Sequence, residues 1–385
     1  MHEGGSAAGP VVVFSGGGTG GHLYPALALA DALASLRPDV RPFFVGASRG
    51  LEARVLPARG VPHLLLPVRG VARREGWRNW RVVPALLRSL DIVAEAFQRL
   101  RPELVVVTGG YAGAPAGVAA AVRGVPLVLQ EQNSVPGVTT RLLARRARVV
   151  HVAFPEAAGR LPTSSRSRVR VSGNPVRPPV PVDEGEARRA FGLPDRGPVV
   201  LVVGGSQGSR ALNRALVEAV RGVVAGTLER PAELGVLWST GPDHLGAVRD
   251  ALGEVPEWVR PVGYVDDMHL ALGSADLAVS RAGAMATSEF LAWGVPMVLV
   301  PLPTAAADHQ TLNARALADA GAAVHLPEAE LTGEALWRTV TGSVGDSARL
   351  EAQRKAARER GRPHAARRIA ATLADLLSSP TGWSP

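Results

Sequence analysis

The chain has 385 residues, 46% of them apolar, and a mean hydropathy of +0.10. That length suits two or three domains, and that apolar content excludes a disordered chain. There is no cysteine and one lysine, Lys355. The first removes disulfides, thiol catalysis and Cys-ligated zinc. The second removes a Walker A loop and argues against Schiff-base or pyridoxal-phosphate chemistry. The net charge of +9 divides into +12 over residues 1–192 and −3 over 193–385, so one half is suited to an anionic surface.

Taken in chain order, residues 1–10 lack a basic run, and the apolar stretch after them is only Val11–Phe14. No secretory leader is expected. Val11–Phe14 reads as a buried strand, followed by Gly16-Gly17-Gly18-Thr19-Gly20-Gly21-His22. Gly16, Gly18 and Gly21 satisfy the spacing of a dinucleotide loop, but the next strand, around Phe43–Val45, ends in Gly46-Ala47-Ser48 with no acidic residue for a ribose. The nicotinamide reading therefore loses ground, and bare backbone N–H groups at a helix start, suited to phosphate, remain.

Residues 64–90 carry Arg69, Arg73, Arg74, Arg78, Arg81 and Arg88 against Glu75 alone, interleaved with Trp77, Trp80, Val82, Val83, Leu86 and Leu87. Tryptophan and aliphatic residues rimmed by arginine mark a membrane-surface element; the competing reading is a core helix with a solvated basic face. No nucleic-acid motif accompanies the charge.

A second glycine loop, Thr108 to Pro115, follows the strand Leu104–Val107, and Leu127–Leu129 is the next strand. Pro175, Pro178, Pro179 and Pro181 then form a stiff connector, after which strand and glycine loop recur as Val199–Val203 and Gly204–Ser209. This third loop also fits G-x-S-x-G, the elbow of a serine hydrolase. Ser206 would then need Asp276 or Asp308 and His309 or His325. Further on, Leu277–Val279 and Met297–Val300 are strands, and Arg281-Ala282-Gly283 opens a helix carrying Glu289, a carboxylate suited to a ribose diol. His309, Gln310 and Asn313 open another helix, with Gln310 and Asn313 on one face for sugar hydroxyls. The apolar stretch Phe290–Ala307 is interrupted by Gly294, Pro296, Pro301 and Pro303, so it reads as helix end, turn, strand and loop rather than a membrane span. Residues from about Glu351 to Leu377 are helical in pattern.

Buried strands alternating with helices imply α/β architecture. Two such series joined by a proline connector imply two Rossmann-like domains facing across a cleft, with the active site at the carboxyl ends of the strands. The expected division is residues 1–175 and 176–362, with a helix over about 363–385 a candidate to pack back on the first.

The segments GGGTGGHLYPALALA, GGYAGAPAG, QEQNSVPG, GNPVR, GGSQGSRALN, SRAGAMATSE, GVPMVLVPLP and DHQTLNA occur in this order across residues 11–323. Together they resemble the bacterial MurG family, the N-acetylglucosamine transferases that convert lipid I to lipid II in peptidoglycan synthesis. The resemblance implies a GT-B fold, inverting transfer, and a peripheral position on the cytoplasmic side of the membrane. It implies UDP-N-acetylglucosamine, undecaprenyl-linked lipid I, the anionic inner membrane surface and cell-wall or division proteins as partners, with no required cofactor, metal or nucleic acid. By matching motifs, Thr19, Gly20 and Gly21 lie near donor sugar and acceptor, Gly16, Gly17, Gly18, Gly109, Gly110 and Tyr111 on the acceptor side, and Asn133 near the sugar. Arg177 contacts the nucleotide, Ser206 with Gln207 holds the phosphates, and Val265 presents its backbone to uracil. Ala284, Met285, Ala286, Thr287, Ser288 and Glu289 wrap phosphates and ribose, while Gln310 contacts the N-acetylglucosamine with Asn313 beside it. His22, at a helix N-terminus that favours neutral imidazole, is the candidate general base, and Glu131 is the alternative carboxylate. Another GT-B UDP-sugar enzyme (a 2-epimerase or a different transferase), the serine hydrolase and a non-catalytic nucleotide-sugar binder are the competing readings.

Overall fold

The computed structural model describes residues 9–68, 70 and 82–378. The chain divides into two compact units, residues 1–176 with 364–385, and 177–363.

In the first unit the order is β1 (Val11–Gly16), α1 (Gly20–Leu36), β2 (Arg41–Ala47), α2 (Glu52–Ala58), β3 (His63–Leu66), α3 (Val82–Leu100), β4 (Leu104–Gly109), α4 (Gly110–Arg123), β5 (Leu127–Glu131), α5 (Val138–Leu143), β6 (Val149–Val152), α6 (Pro155–Ala158) and β7 (Val169–Val171). Its seven strands lie in the order β3-β2-β1-β4-β5-β6-β7, every pairing parallel. Successive side chains of a strand point to opposite faces, so a strand covered on both faces must be apolar throughout. Val11 and Val13 join Val105, Val107, Leu127 and Leu129 in one core. Val12 and Phe14 join Phe44, Leu104, Val106 and Val128 in the other. Helices α3 and α4 cover the first face through Val93, Phe97, Ala112 and Ala116.

The second unit runs α7 (Glu184–Phe191), β8 (Val199–Val203), α8 (Arg210–Val224), β9 (Gly235–Ser239), α9 (Leu245–Leu252), β10 (Val259–Val262), α10 (Met268–Ser274), β11 (Leu277–Ser280), α11 (Ala284–Trp293), β12 (Met297–Leu299), α12 (His309–Asp319), β13 (Ala323–His325), α13 (Gly333–Val344) and α14 (Ser347–Arg360). Its six parallel strands lie in the order β10-β9-β8-β11-β12-β13. Counted from the first strand of each unit, both sheets therefore begin 3-2-1-4-5-6, the doubly wound order in which ligands bind beyond the carboxyl ends of strands 1 and 4.

The tail is two helices. The chain leaves helix at Gly361, where an added Cβ would overlap the Leu291 carbonyl, and Pro363 follows two residues later. Beyond it α15 (Ala365–Ser378) belongs to the first unit and buries Ile369, Ala370 and Leu373 against α1 in the second face of that sheet. The apolar stretch 290–307 breaks as its glycine and prolines require: α11 stops at Trp293, Gly294 takes φ 70°, and β12 follows. Among the described residues no helix is long and apolar enough to cross a membrane.

Candidate functional site

The first unit brings its two glycine loops together because β1 and β4 are neighbours. Gly16, Gly17, Gly18 and Thr19 lead into α1, which Gly20 and Gly21 open; Gly109, Gly110 and Tyr111 lead into α4. Gly18 adopts φ 92° beneath the Tyr111 ring, and Gly110 adopts φ 72° with its α-carbon against the Gly17 carbonyl. A side chain at either would clash and force strained backbone. Thr19 is the N-cap of α1 by position, yet its hydroxyl accepts no first-turn N–H and no acidic residue sits in that turn. The positive end of α1 is thus left for a polar or anionic ligand.

Glu52 braces this loop from inside. It is fully buried, and its Oε1 accepts the Gly18 N–H. A Cβ at Gly17 or Gly50 would overlap its carboxylate, and one at Gly46 would press on its stem. Among the described residues its Oε2 has no hydrogen-bond partner. Burial, and secondarily the charge of Glu52, push the Tyr111 phenol up, so Tyr111 meets any acceptor as a neutral hydroxyl.

His22, in the first turn of α1, lies with its ring against the Gly109–Gly110 backbone. Its Nδ1 is 3.0 Å from the Thr108 carbonyl and 2.8 Å from Gln132 Oε1. Its own carbonyl accepts the Thr108 hydroxyl at 2.7 Å. Glu131 is also buried, but its carboxylate is spent on the following loop. Oε1 accepts from the Asn133 backbone (3.1 Å) and side chain (3.4 Å), and Oε2 accepts from Gly137 N–H at 3.0 Å. A carboxylate engaged on both oxygens by its own loop is a poor proton acceptor for a substrate.

In the second unit the nominated residues also gather beyond the strand ends. Ser206 and Gln207 follow β8 and are exposed. Gly208 and Gly241 lock their loop onto the chain after β9, since a Cβ at either would overlap the opposing backbone. Ser209 caps α8 by accepting from Leu212 N–H, and Asn213 ties the loop down, donating to the Thr240 carbonyl (2.8 Å) and accepting from Trp238 Nε1 (3.0 Å). Val265 follows β10 and is buried. Ala284, Met285, Ala286, Thr287, Ser288 and Glu289 form the first turns of α11, after β11, the neighbour of β8. The Thr287 hydroxyl turns back to the Gly283 and Ala284 carbonyls (3.1 and 3.2 Å) and its side chain is buried, so its contribution to a ligand is backbone. Burial pushes the Glu289 carboxyl up, and the charge of Arg177 pulls it back down, which puts the GNPVR arginine and this glutamate in electrostatic reach. Gln310 accepts the Leu302 N–H at 3.0 Å and Asn313 donates to the Ala282 carbonyl at 3.2 Å. The loop before them holds Ala307 and Asp308 at φ 53° and 54°, a strained pair of the kind that clusters at ligand-binding turns.

Two members of the hydrolase constellation, Asp276 and His309, are engaged elsewhere. Asp276 accepts from Val199 N–H at 2.8 Å and pairs with Arg354. It therefore sits at the start of β8, whereas Ser206 lies past the end of that strand. The Nδ1 of His309 is held by the Ala306 carbonyl. Of the nominated membrane residues, Trp77, Trp80, Arg73, Arg74, Arg78 and Arg81 lie outside the described residues. Leu86 and Leu87 are on α3, Leu87 58% exposed beside Val83 at 60% and Leu86 partly buried, while Val93 and Phe97 take the core side. Glu52, Gln130, Gln132 and Asn174 had no assigned role in the sequence reading. The clustering of Gly46 and Gly50 around Leu51-Glu52 was the available signal for the first.

Two family models match the chain: the glycosyltransferase family 28 N-terminal domain over residues 12–152 and the family 28 C-terminal domain over residues 199–369. A protein of Salinibacter ruber named UDP-N-acetylglucosamine–N-acetylmuramyl-(pentapeptide) pyrophosphoryl-undecaprenol N-acetylglucosamine transferase is 43% identical over 94% of this chain and 95% of its own. A protein of the same name from Moorella thermoacetica is 41% identical over 96% and 99%. The crystal structure of Acinetobacter baumannii MurG superposes with a TM-score of 0.75 at 29% identity, covering 95% of this chain and 99% of that one.

Proposed function

The chain belongs to glycosyltransferase family 28, has the GT-B fold and is a MurG-type hexosyltransferase; from that premise we infer what each half does. The reaction moves N-acetylglucosamine from UDP-N-acetylglucosamine to the muramoyl 4-hydroxyl of undecaprenyl-pyrophosphoryl-N-acetylmuramoyl-pentapeptide, lipid I to lipid II. Inverting transfer is an in-line attack by that hydroxyl on the anomeric carbon, with UDP departing. The hydroxyl must lose a proton and the leaving pyrophosphate must be stabilised.

His22 takes the proton. The observation that carries this role is the pair of acceptors at its Nδ1, Gln132 Oε1 and the Thr108 carbonyl, which leave Nε2 as the basic nitrogen of neutral imidazole. Glycines 16–18 and 109–110, with Tyr111, bound the acceptor side, and Thr19, Gly20, Gly21 and Asn133 meet the transferred sugar. On the donor side, Ser206 with Gln207 and the first turns of α11 offer hydroxyl, amide and backbone N–H groups to the diphosphate. Glu289 accepts from the ribose diol, Arg177 adds positive charge, Val265 offers its backbone to uracil, and Gln310 and Asn313 face the N-acetylglucosamine. Because Gln310 uses its oxygen on Leu302 N–H, a sugar hydroxyl meets its Nε2 end.

Residues 64–90 hold the enzyme to the anionic cytoplasmic face of the membrane, where the undecaprenyl-linked acceptor resides. The exposed Val83 and Leu87 extend the arginine- and tryptophan-rich segment along α3, the composition of an interfacial anchor. Anionic vesicles should bind the Trp77→Ser, Trp80→Ser double variant more weakly than wild type; equal binding would sink the anchor.

The test of the function is UDP release from UDP-N-acetylglucosamine with and without a lipid I analogue. Release that depends on the analogue is expected. Release without it would point to an epimerase or hydrolase, and binding without release to a nucleotide-sugar binder.

A further inference from the structure

Three amide side chains run from the first residues of the proline connector to His22. Asn174 Nδ2 donates to the Gln132 carbonyl at 3.2 Å, and Gln130 Nε2 donates to Asn174 Oδ1 at 2.9 Å. Gln132 Nε2 donates to the Thr108 carbonyl at 2.8 Å, to the Gln130 carbonyl at 3.0 Å, and to Gln130 Oε1. Gln132 Oε1 faces His22 Nδ1 at 2.8 Å. All three amides are essentially buried, at 1%, 0% and 2% exposure for Asn174, Gln130 and Gln132.

The polarity of this chain has one solution. An amide can be turned end for end, and only its partners decide which end is NH₂. Backbone carbonyls only accept, so the end of Gln132 that meets the Thr108 and Gln130 carbonyls must be NH₂. The end toward His22 is then oxygen. The same logic fixes Asn174 by the Gln132 carbonyl, which forces Gln130 to offer NH₂ to Asn174 and oxygen to Gln132. His22 Nδ1 is therefore flanked by two acceptors, Gln132 Oε1 and the Thr108 carbonyl, and must carry a hydrogen whether the ring is neutral or charged. Neutral histidine in water favours the opposite tautomer, with the hydrogen on Nε2.

We propose that Gln132 is a positioning residue that, locked by Gln130 and Asn174, holds His22 in the Nδ1–H tautomer and keeps Nε2 free to accept the acceptor hydroxyl's proton. The proposal rests on His22 being the base. It adds that the base is prepared by neutral amides and backbone carbonyls rather than by a carboxylate, and that the connector takes part through Asn174. Without that lock only the Thr108 carbonyl holds the hydrogen on Nδ1, and the Nε2–H tautomer, which cannot accept a proton, gains population.

The test is a long-range proton–nitrogen spectrum of full-length protein labelled with [¹⁵N]histidine, the His22 signals identified by their loss in His22→Ala. Wild type should show a protonated Nδ1 and an unprotonated Nε2 in the neutral form; a protonated Nε2 would overturn the proposal, whatever any variant does. Gln132→Met should shift His22 toward Nε2–H and lower kcat about 10- to 100-fold, within the span a general base supplies, with KM for UDP-N-acetylglucosamine unchanged. Asn174→Leu, which does not touch His22, should move the tautomer and kcat the same way by less, and it serves if Gln132→Met does not fold. An unchanged tautomer in a folded Gln132→Met would overturn the proposal. A protonated Nδ1 together with normal turnover of His22→Ala would overturn the base reading itself.

Discussion

The two units share a strand order and use it differently. In each, a loop containing glycine follows the first and the fourth strand of a doubly wound sheet, the junction where backbone amides collect. In the second unit these loops are finished with short neutral groups: Ser209 on Leu212 N–H, Asn213 on Thr240, Thr287 on its own helix carbonyls. In the first unit they are finished with a buried carboxylate under Gly18 and an imidazole over Gly109–Gly110. The fifth strand of each sheet shows where the difference arises. The first unit's fifth strand ends in Gln130-Glu131 and continues into Gln132-Asn133, all polar; the second's is followed by Val300-Pro301-Leu302-Pro303. On the proposed function, one topology collects backbone amides twice, and the residues just past one strand fit one copy for moving a proton.

The largest effect that tests this division is on the proton. His22→Ala should lower turnover about 10²- to 10⁴-fold, the contribution of a positioned base, and leave UDP affinity measured by calorimetry within about twofold, less than a single hydrogen bond is worth. Turnover near wild type would break the assignment of chemistry to the first unit.

Next is acid stability, which should also be lopsided. His151, on β6 opposite Gln130, is buried with Nδ1 2.7 Å from Ser172 Oγ and, among the described residues, no partner at Nε2. Burial, and then the charge of Arg170, lower its pKa from 6.5 to about 4. The unfolded chain therefore takes up a proton near pH 6.5 that the folded unit refuses until about pH 4. Stability from this group is complete above the unfolded value and falls as pH drops through that window, by about 3 kcal/mol in all. Urea unfolding of wild type and His151→Asn at pH 7.5 and 4.5 checks it. An equal acid loss in both would remove His151 as the cause.

Much of this was legible in the sequence, for a physical reason. Strands buried on both faces must be apolar at every position, so Val11–Phe14, Leu104–Val107 and Val199–Val203 announce themselves, and glycine loops after them mark the junction. The tail was less legible, because α14 and α15 share one helical pattern and only Gly361 and Pro363 part them. The bracing of the site was not legible. Glu52 reads as an ordinary first-turn acid of α2, and its target, Gly18 N–H, lies 34 residues away. Gln132 reaches back 110 residues to His22, and Asn174 42 to the Gln132 carbonyl. Pairings across such separations are set by strand order, and no local pattern carries them.

Ligand affinity should separate the units in the opposite sense. Glu289→Gln keeps the shape and one acceptor oxygen but loses the charge that strengthens a hydrogen bond from a ribose hydroxyl. UDP binding should weaken by about 1–2 kcal/mol, the margin of a charge-assisted bond over a neutral one, with kcat at saturating donor nearly kept. Because burial raises the carboxyl of Glu289, UDP affinity in wild type should begin to fall at a pH above the usual carboxylate range, and the Gln variant should lose that dependence. A fall in kcat with unchanged UDP affinity would reverse the assignment of the two units.

The last prediction is at Glu52, where the smallest effect is expected of the Gln variant, and it separates charge from geometry. Glu52→Gln retains an oxygen for the Gly18 N–H, so the loop should hold its path. Glu52→Ala leaves that part-buried N–H without its acceptor, a loss of about 1–3 kcal/mol, and opens space under Gly17, Gly46 and Gly50. Turnover with a lipid I analogue should therefore stay within about threefold of wild type in Gln and drop by about tenfold or more in Ala, within the worth of one buried hydrogen bond. UDP affinity should be level in both. If Gln were as impaired as Ala, the buried negative charge, rather than the oxygen that accepts from Gly18, would be what the first unit requires. If UDP affinity fell in both, the loop that Glu52 braces would be serving the donor, and the separation of roles between the units would not extend to it.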